Sequence, residues 1–419
     1  MHTGVKVGIA LLVLTVRLWG KLGGIRNLFK GSSGEGLGLA STIGCTLGGI
    51  FLLYYLFEKV MKPMSWRAKW AKKGVALCPN WMPVIGNYKA LSIVTNKAKG
   101  TAEPNQNAYA LLGKEFFCDK DGIFEPIVAV NAPFGDHLQI NCSDVAEQIF
   151  EQQERCFDVN NAMSRINTGF TTESWVYALE SKAKRRRFKG FMSVFHGENF
   201  GFIFDLTKNV TGKKLAQIQE SANDKDTNLT MNLTNEVLSC TGEIVLKMIF
   251  SNDVIDADKF LMVQQWANGK QKAMPFTTAF SSVYAKSHQK LGSFLRHLLI
   301  GNYMDYDLDS AEKENMRNKQ EIVAFVRNKI KEVKEHRKTK PIVIERDHIS
   351  YVDGMLADKA IRDDEDAMVA ECLSAYLHLG VFTGATIAHG LYHIIKDPKV
   401  TKKCLGEIAH HFGPNLTAD

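Results

Sequence analysis

No Cys-x-x-Cys pair occurs among the 419 residues, and the eight cysteines (Cys45, Cys78, Cys118, Cys142, Cys156, Cys240, Cys372, Cys404) are scattered. That pattern argues against a zinc site or a disulfide framework and fits a reducing compartment. No internal repeat or low-complexity tract stands out. A dominant charge is missing too: the net charge of +7 is modest for this length. With no aromatic–basic stripe, it argues against a dedicated nucleic-acid binder. Acidic residues are absent before Glu35, although Lys6, Arg17, Lys21, Arg26 and Lys30 are present. Finally, residues 372–395 hold no Asp, Glu, Lys or Arg, yet contain His378, Thr383, Thr386, His389 and His393.

What remains is a globular composition, 45% hydrophobic and 23% charged. Five N-x-S/T sequons, at Asn141, Asn209, Asn228, Asn232 and Asn415, read as chance in a chain rich in Asn. Residues 37–57 run 21 positions without a charge, and about 20 apolar residues cross a bilayer core. This predicts a transmembrane helix within an anchor region, 1–58. A second apolar stretch, 5–19, is short and flanked by cations, and reads as an interfacial or tilted helix or a targeting segment. Ala40, Gly44 and Gly48 lie four apart, so they share a small-residue face on which another membrane helix can pack. Residues 59–90 form a basic, Pro-rich hinge. Its Lys59, Lys62, Arg67, Lys69, Lys72 and Lys73 surround Trp66 and Trp70, as at a helix exit held in lipid headgroups.

The stretch CPNWMPVIGNY (78–88) is broken by proline and cannot be helix. Residues 125–131 and 137–141 read as two strands with a turn at Pro133–Gly135. A helix follows over 142–152, with Ser143 or Asp144 as its cap. From about 180 the pattern is nearly all helical, with amphipathic runs at 199–219 and 231–250. A run at 312–338 places Ile322, Val326, Ile330 and Val333 on one face. One long helix is expected over 364–396, entered at Asp363–Asp364 and closed by Asp397–Pro398.

This order resembles the cytochrome P-450 superfamily, the haem-thiolate monooxygenases. An anchor helix precedes CPNWMPVIGN, which is similar to the family's Pro-rich hinge; two strands and a helix follow. RRRFKGFMSVFHGENF (185–200) is similar to the family's third helix. FTGATIAHGLYHIIKDPKVTKKCLGEI (382–408) is similar to the end of its central helix and the helix after it. The resemblance implies a mainly α fold with a small β-sheet, a partial P-450-like fold over 91–419, plus the amino-terminal membrane helix.

The resemblance also implies site positions, and these have drifted. The family's central helix carries a glycine, an acid and an alcohol that supply protons for oxygen activation. Counting back from Pro398 puts Val381 at the acid and Phe382 at the alcohol; a shift of one gives Phe382 and Thr383, with Gly380 and Thr383 as remnants. Neither register retains an acid. Lys184 and Phe188 stand at the haem-propionate positions, with Arg185, Arg186 and Arg187 as remnants. The family's E-x-x-R and its cysteine loop follow the central helix, and the chain is expected to be truncated before both. Glu314–Arg317 has E-x-x-R spacing but precedes that helix. Cys404-Leu-Gly406 lacks the residues that precede the family's cysteine. His389 and His393, four apart, have the spacing of a metal pair; with no third ligand they read as core or surface histidines.

The expected function is therefore a catalytically inactive, membrane-anchored accessory subunit of a larger membrane complex. It would carry no cofactor and no metal, and its partners would be membrane lipid and other membrane-protein subunits, not nucleic acid. The basic leader and the small-residue face tilt its location toward the mitochondrial inner membrane over the endoplasmic reticulum. One alternative is an amino-terminal fragment of an active monooxygenase, with haem. Another is a polytopic transport-type subunit in which 372–395 crosses the bilayer.

Overall fold

The structure, a computed structural model, describes residues 46, 48–99, 108–132, 135–152, 170–171, 174, 197–223, 231–251, 261–292, 306–341, 349–359 and 361–413. It is mainly helical with two small sheets. The described residues fall into two compact units that divide at 153/154.

In the first unit, residues 48–56 are helical, and Phe51, Leu52, Tyr54 and Leu56 on them are exposed. This is the described end of the expected membrane segment. The helix continues through a π turn, Phe57–Met61, into α1, Lys62–Lys72. Around Gly48 an added Cβ would meet nothing, which leaves that helix face open; Ala40, Gly44 and the segment 5–19 lie outside the described residues. On α1 the Lys73 ammonium lies 4.9 Å from the ring centre of Trp70, and Trp66 packs edge-on against Trp70.

The first sheet joins β1, Ala76–Leu77, parallel to β2, Ile127–Ala132, which pairs antiparallel with β3, Gly135–Ile140. Val128 and Val130 point into a cluster with Cys78, just after β1, Val94 of α2 (Tyr88–Lys99), Leu112 of α3 (Ala108–Phe116) and Phe117, just after α3. The two expected strands are thus present, and β1 joins them from a segment that carries no strand signal of its own. The helix after β3, α4 (Ser143–Glu151), is entered from Cys142 with no side-chain cap, so neither expected cap residue acts.

The proline-broken segment is pinned rather than loose. Asn87 donates to the carbonyls of Cys78 and Pro79 and accepts from the Asn131 amide. Arg67 donates to Asn131 Oδ1 and Cys78 O and lies over the Trp81 ring. Gly86 takes a positive φ beside the Asn131 carbonyl, where a side chain would collide with backbone.

The second unit holds α5 (Gly197–Asn223), α6 (Leu233–Phe250), a hairpin of β4 (Met262–Ala267) and β5 (Lys270–Pro275), α7 (Phe276–Gly292), α8 (Ser310–Thr339), α9 (Tyr351–Ala357), the central helix α10 (Glu365–Lys396) and α11 (Pro398–Phe412). On α8 the four residues read as one face, Ile322, Val326, Ile330 and Val333, are fully buried. They meet Phe276, Phe280, Met368, Leu373 and Tyr376 in the main core.

The hairpin is an element that the nearly all-helical pattern after 180 did not announce. Its turn is Asn268–Gly269, both at positive φ, the pairing that two-residue hairpin turns demand. Asn318 of α8 completes its edge: Oδ1 accepts from the Trp266 amide at 2.6 Å, and Nδ2 donates to the Trp266 carbonyl at 3.0 Å. Glu314 and Arg317, with E-x-x-R spacing, serve this hairpin too. Glu314 accepts from the Gly269 amide, and Arg317 lies over the Trp266 ring.

The central helix is long and apolar enough to cross a membrane, but 72% of its most apolar window is buried by protein. Its first half, Ala367–Leu377, lies in the core, whereas from Phe382 onward most of its side chains are exposed. Asp364 caps it, accepting from the Ala367 amide, and Asp397 closes it while capping α11 through the amides of Lys399 and Val400.

Candidate functional site

The central helix is not α throughout. Tyr376–Phe382 forms a π segment, flanked on both sides by α-helix. A π turn fits one residue more per turn than an α turn and recurs at functional sites. Its place bears on the register. The positions counted from Pro398 are uncertain by one residue, and the extra residue of a π turn falls within the same stretch.

At the end of the π segment the Gly380 carbonyl accepts from the Thr383 amide, and the neighbouring helix supplies a second donor. Thr241 of α6 has a single hydroxyl proton with two acceptors at 3.0 Å, Val237 O on its own helix and Gly380 O on the central helix. Two glycines allow this approach. A Cβ on Gly384 would press on Thr241 and Leu238, and one on Gly242 would lie 2.6 Å from the Tyr376 hydroxyl. Tyr376 is buried, and its ring packs edge-on against Phe276 and Phe280, 5.0 and 4.8 Å away. Burial alone pushes its phenol above the ordinary range. Gly380 therefore lies against the Tyr376 ring, and its carbonyl is used by α6.

The residues at the expected relay positions turn elsewhere. Val381 packs against the main core. Phe382 is 42% exposed; its ring meets His378, 5.4 Å away, and Tyr284 of α7, 5.9 Å away. Thr383 donates to the carbonyl of His378, one π turn back. His378 Nδ1 lies 2.7 Å from the Ser374 carbonyl. Tyr284 in turn stacks on His288, whose ring charge is disfavoured by burial and by Lys319. This line of rings, Phe382 to Tyr284 to His288, was not legible in advance: the sequence shows α7 only as generic helix. Lys184, Phe188, Arg185, Arg186 and Arg187 lie outside the described residues.

A family model described as Cytochrome P450 matches residues 114–418, well over half of the sequence. The chain belongs to the cytochrome P450 family. No curated protein matches it. The matched residues include α10 and α11.

The family's cofactor is a haem held by a cysteine thiolate. Several described cysteines of this P450 do not fit that role. Cys78 is buried against the first sheet, and loss of hydration pushes its thiol up to about 12. Cys372 lies inside the central helix, fully buried, with its thiol raised well above the ordinary value by the same cause. Burial also raises Cys240, on α6. Each of these is held as a neutral thiol, not a thiolate donor. Cys404 sits within helix α11, not in a loop. Among the described residues, no three His, Cys, Asp or Glu side chains converge as a metal site.

Proposed function

We propose that this P450-family chain is a membrane-anchored accessory protein that keeps the family's helical scaffold without its oxygen chemistry. One observation carries the reading: the central-helix turn 380–383 offers no side chain able to pass a proton outward. Val381 and Phe382 are apolar, and the Thr383 hydroxyl is spent on its own helix. A monooxygenase of the family depends on an acid and an alcohol at this turn.

Two further observations support an accessory role. Phe382, Ile387, Leu391, Tyr392 and Ile395 on the central helix, with Leu405 on α11, are all exposed. An apolar surface of that kind favours a covering partner. The exposed apolar residues on 48–56, followed by the lysines and tryptophans of α1, suit lipid and a membrane location. The leader's charge favours the mitochondrial inner membrane among membranes, with other membrane-protein subunits as partners.

The test is a gentle detergent extraction of the native protein, with its absorbance spectrum and its copurifying proteins. The expected result is no haem band and a stable set of membrane partners. One haem per chain would overturn the reading. A second reading rests on the same open apolar face, which further chain of a longer monooxygenase could cover. A native mass well above 46.9 kDa would favour that reading, although it leaves Val381 and Phe382 unexplained.

A further inference from the structure

The central helix carries a second chemical feature, three turns beyond the π segment. His389 and His393 stand at i and i+4 on its exposed side. Their Nε2 atoms converge to 3.1 Å, with ring planes 81° apart. Spacing alone does not make a chelate: the rings of such a pair commonly point past each other. Here both rings bring the same nitrogen to one place, the two Nε2 atoms facing each other at hydrogen-bond distance. Among the described residues, the hydrogen bond recorded for each is to the other.

The separation can be compared with that of a metal chelate. Two metal–nitrogen bonds of about 2.0–2.1 Å that span 3.1 Å enclose an angle of roughly 98° at the ion. That value lies between the cis angle of a square-planar ion and the tetrahedral angle, so it suits Cu²⁺, Ni²⁺ or Zn²⁺. The neighbours do not obstruct it. Gly390 has open space at its Cβ position, and Tyr392 lies beside His393 with its ring centre 5.4 Å away. His410 and His411 on α11 are the other adjacent pair, but consecutive helical residues point apart, and they do not share a chelating face.

We propose that His389 and His393 form a two-histidine site for a divalent transition-metal ion, with water completing the coordination shell. This site is independent of the haem position and of the accessory role. Imidazole nitrogen donors and an open shell favour Cu²⁺ over Ni²⁺ and Zn²⁺ by the usual order of affinities. Protons compete for the same nitrogens, so acidification releases the ion.

The experiment uses the full chain in detergent, titrated with Cu²⁺ and, separately, Zn²⁺ by calorimetry, with electron paramagnetic resonance of the Cu²⁺ sample. The expected result is one Cu²⁺ per chain with hyperfine structure from two equivalent nitrogens. His389→Ala or His393→Ala should each weaken binding by about tenfold or more, because the second donor loses its high local concentration. Each variant should also leave a one-nitrogen signal. Both side chains are exposed, so the variants fold; circular dichroism confirms it. The proposal is overturned if the double variant titrates like the native chain, or if the native spectrum shows one nitrogen or none.

Discussion

The side chain of Thr241 occupies the space that a side chain on Gly384 would need: its hydroxyl oxygen lies closer than 3.0 Å to the Cβ position. The two helices that build the core of the second unit are therefore in contact through a glycine and a threonine. The same hydroxyl reaches the carbonyl of Gly380.

Gly384→Ala should destabilise the second unit by about 1–3 kcal/mol through overpacking. Adding Thr241→Ala should recover part of that loss, because the colliding atom is removed. Denaturant unfolding of the two single variants and the double variant measures this coupling. Strictly additive effects would show that the contact is not the cause.

Tyr376 allows a cleaner separation of ring from hydroxyl. Tyr376→Ala should cost about 3–5 kcal/mol, since it empties a site between Phe276 and Phe280. Tyr376→Phe keeps the ring and should cost far less. The phenol's folded pKa is raised above its unfolded value of 10.0, so its contribution is complete below that value and is lost as pH rises beyond it. In alkaline unfolding curves, Tyr376→Phe should hold its stability to higher pH than the native chain.

Lys319 has the opposite sign. It is buried on α8, and burial first, then the like charge of Lys290, lowers it from 10.5 to about 8, against the pull of Asp307. Above about pH 8 the unfolded chain binds more protons at this site than the folded chain. Its contribution to stability therefore rises with pH between about 8 and 10.5. Lys319→Met removes the cost of burying the charge, on the order of 3 kcal/mol at most. The variant's advantage over the native chain should be largest near pH 7.5 and shrink by pH 10 in thermal unfolding. An advantage that is flat with pH would rule out this origin.

Asn318 completes the hairpin edge with two hydrogen bonds to the Trp266 backbone. Asn318→Ala should cost about 2 kcal/mol, with the Trp266 amide losing its protection against hydrogen exchange. Asn318→Asp retains the acceptor and should keep that amide protected.

The elements that the sequence announced most clearly are those fixed by local chemistry. Ile322, Val326, Ile330 and Val333 recur at helical spacing, and all four are buried. Asp364 and Asp397 bracket the central helix because each carboxylate satisfies amides in its own turn. The hairpin at 262–275 was missed, although Asn268–Gly269 is a strong turn signal, because its flanks are polar and do not alternate strictly. The short strand Ala76–Leu77 was not legible, because two residues become a strand only when Val128 and Ala129 lie alongside. Neither expected cap of α4 acts, because the chain enters that helix one residue earlier, at Cys142.

By itself the sequence determined the helical character of the chain and its family, since these depend on residue identity and near-neighbour spacing. Tertiary structure decided that 372–377 lies in the protein core while most side chains from Phe382 to Ile395 stay exposed, because a charge-free run is compatible with lipid or protein and only its surroundings distinguish them. It also decided that Gly380 lies against the Tyr376 ring with its carbonyl used by α6, and that the imidazoles of His389 and His393 converge. Those depend on a π turn and on ring orientations, which spacing along the chain does not specify.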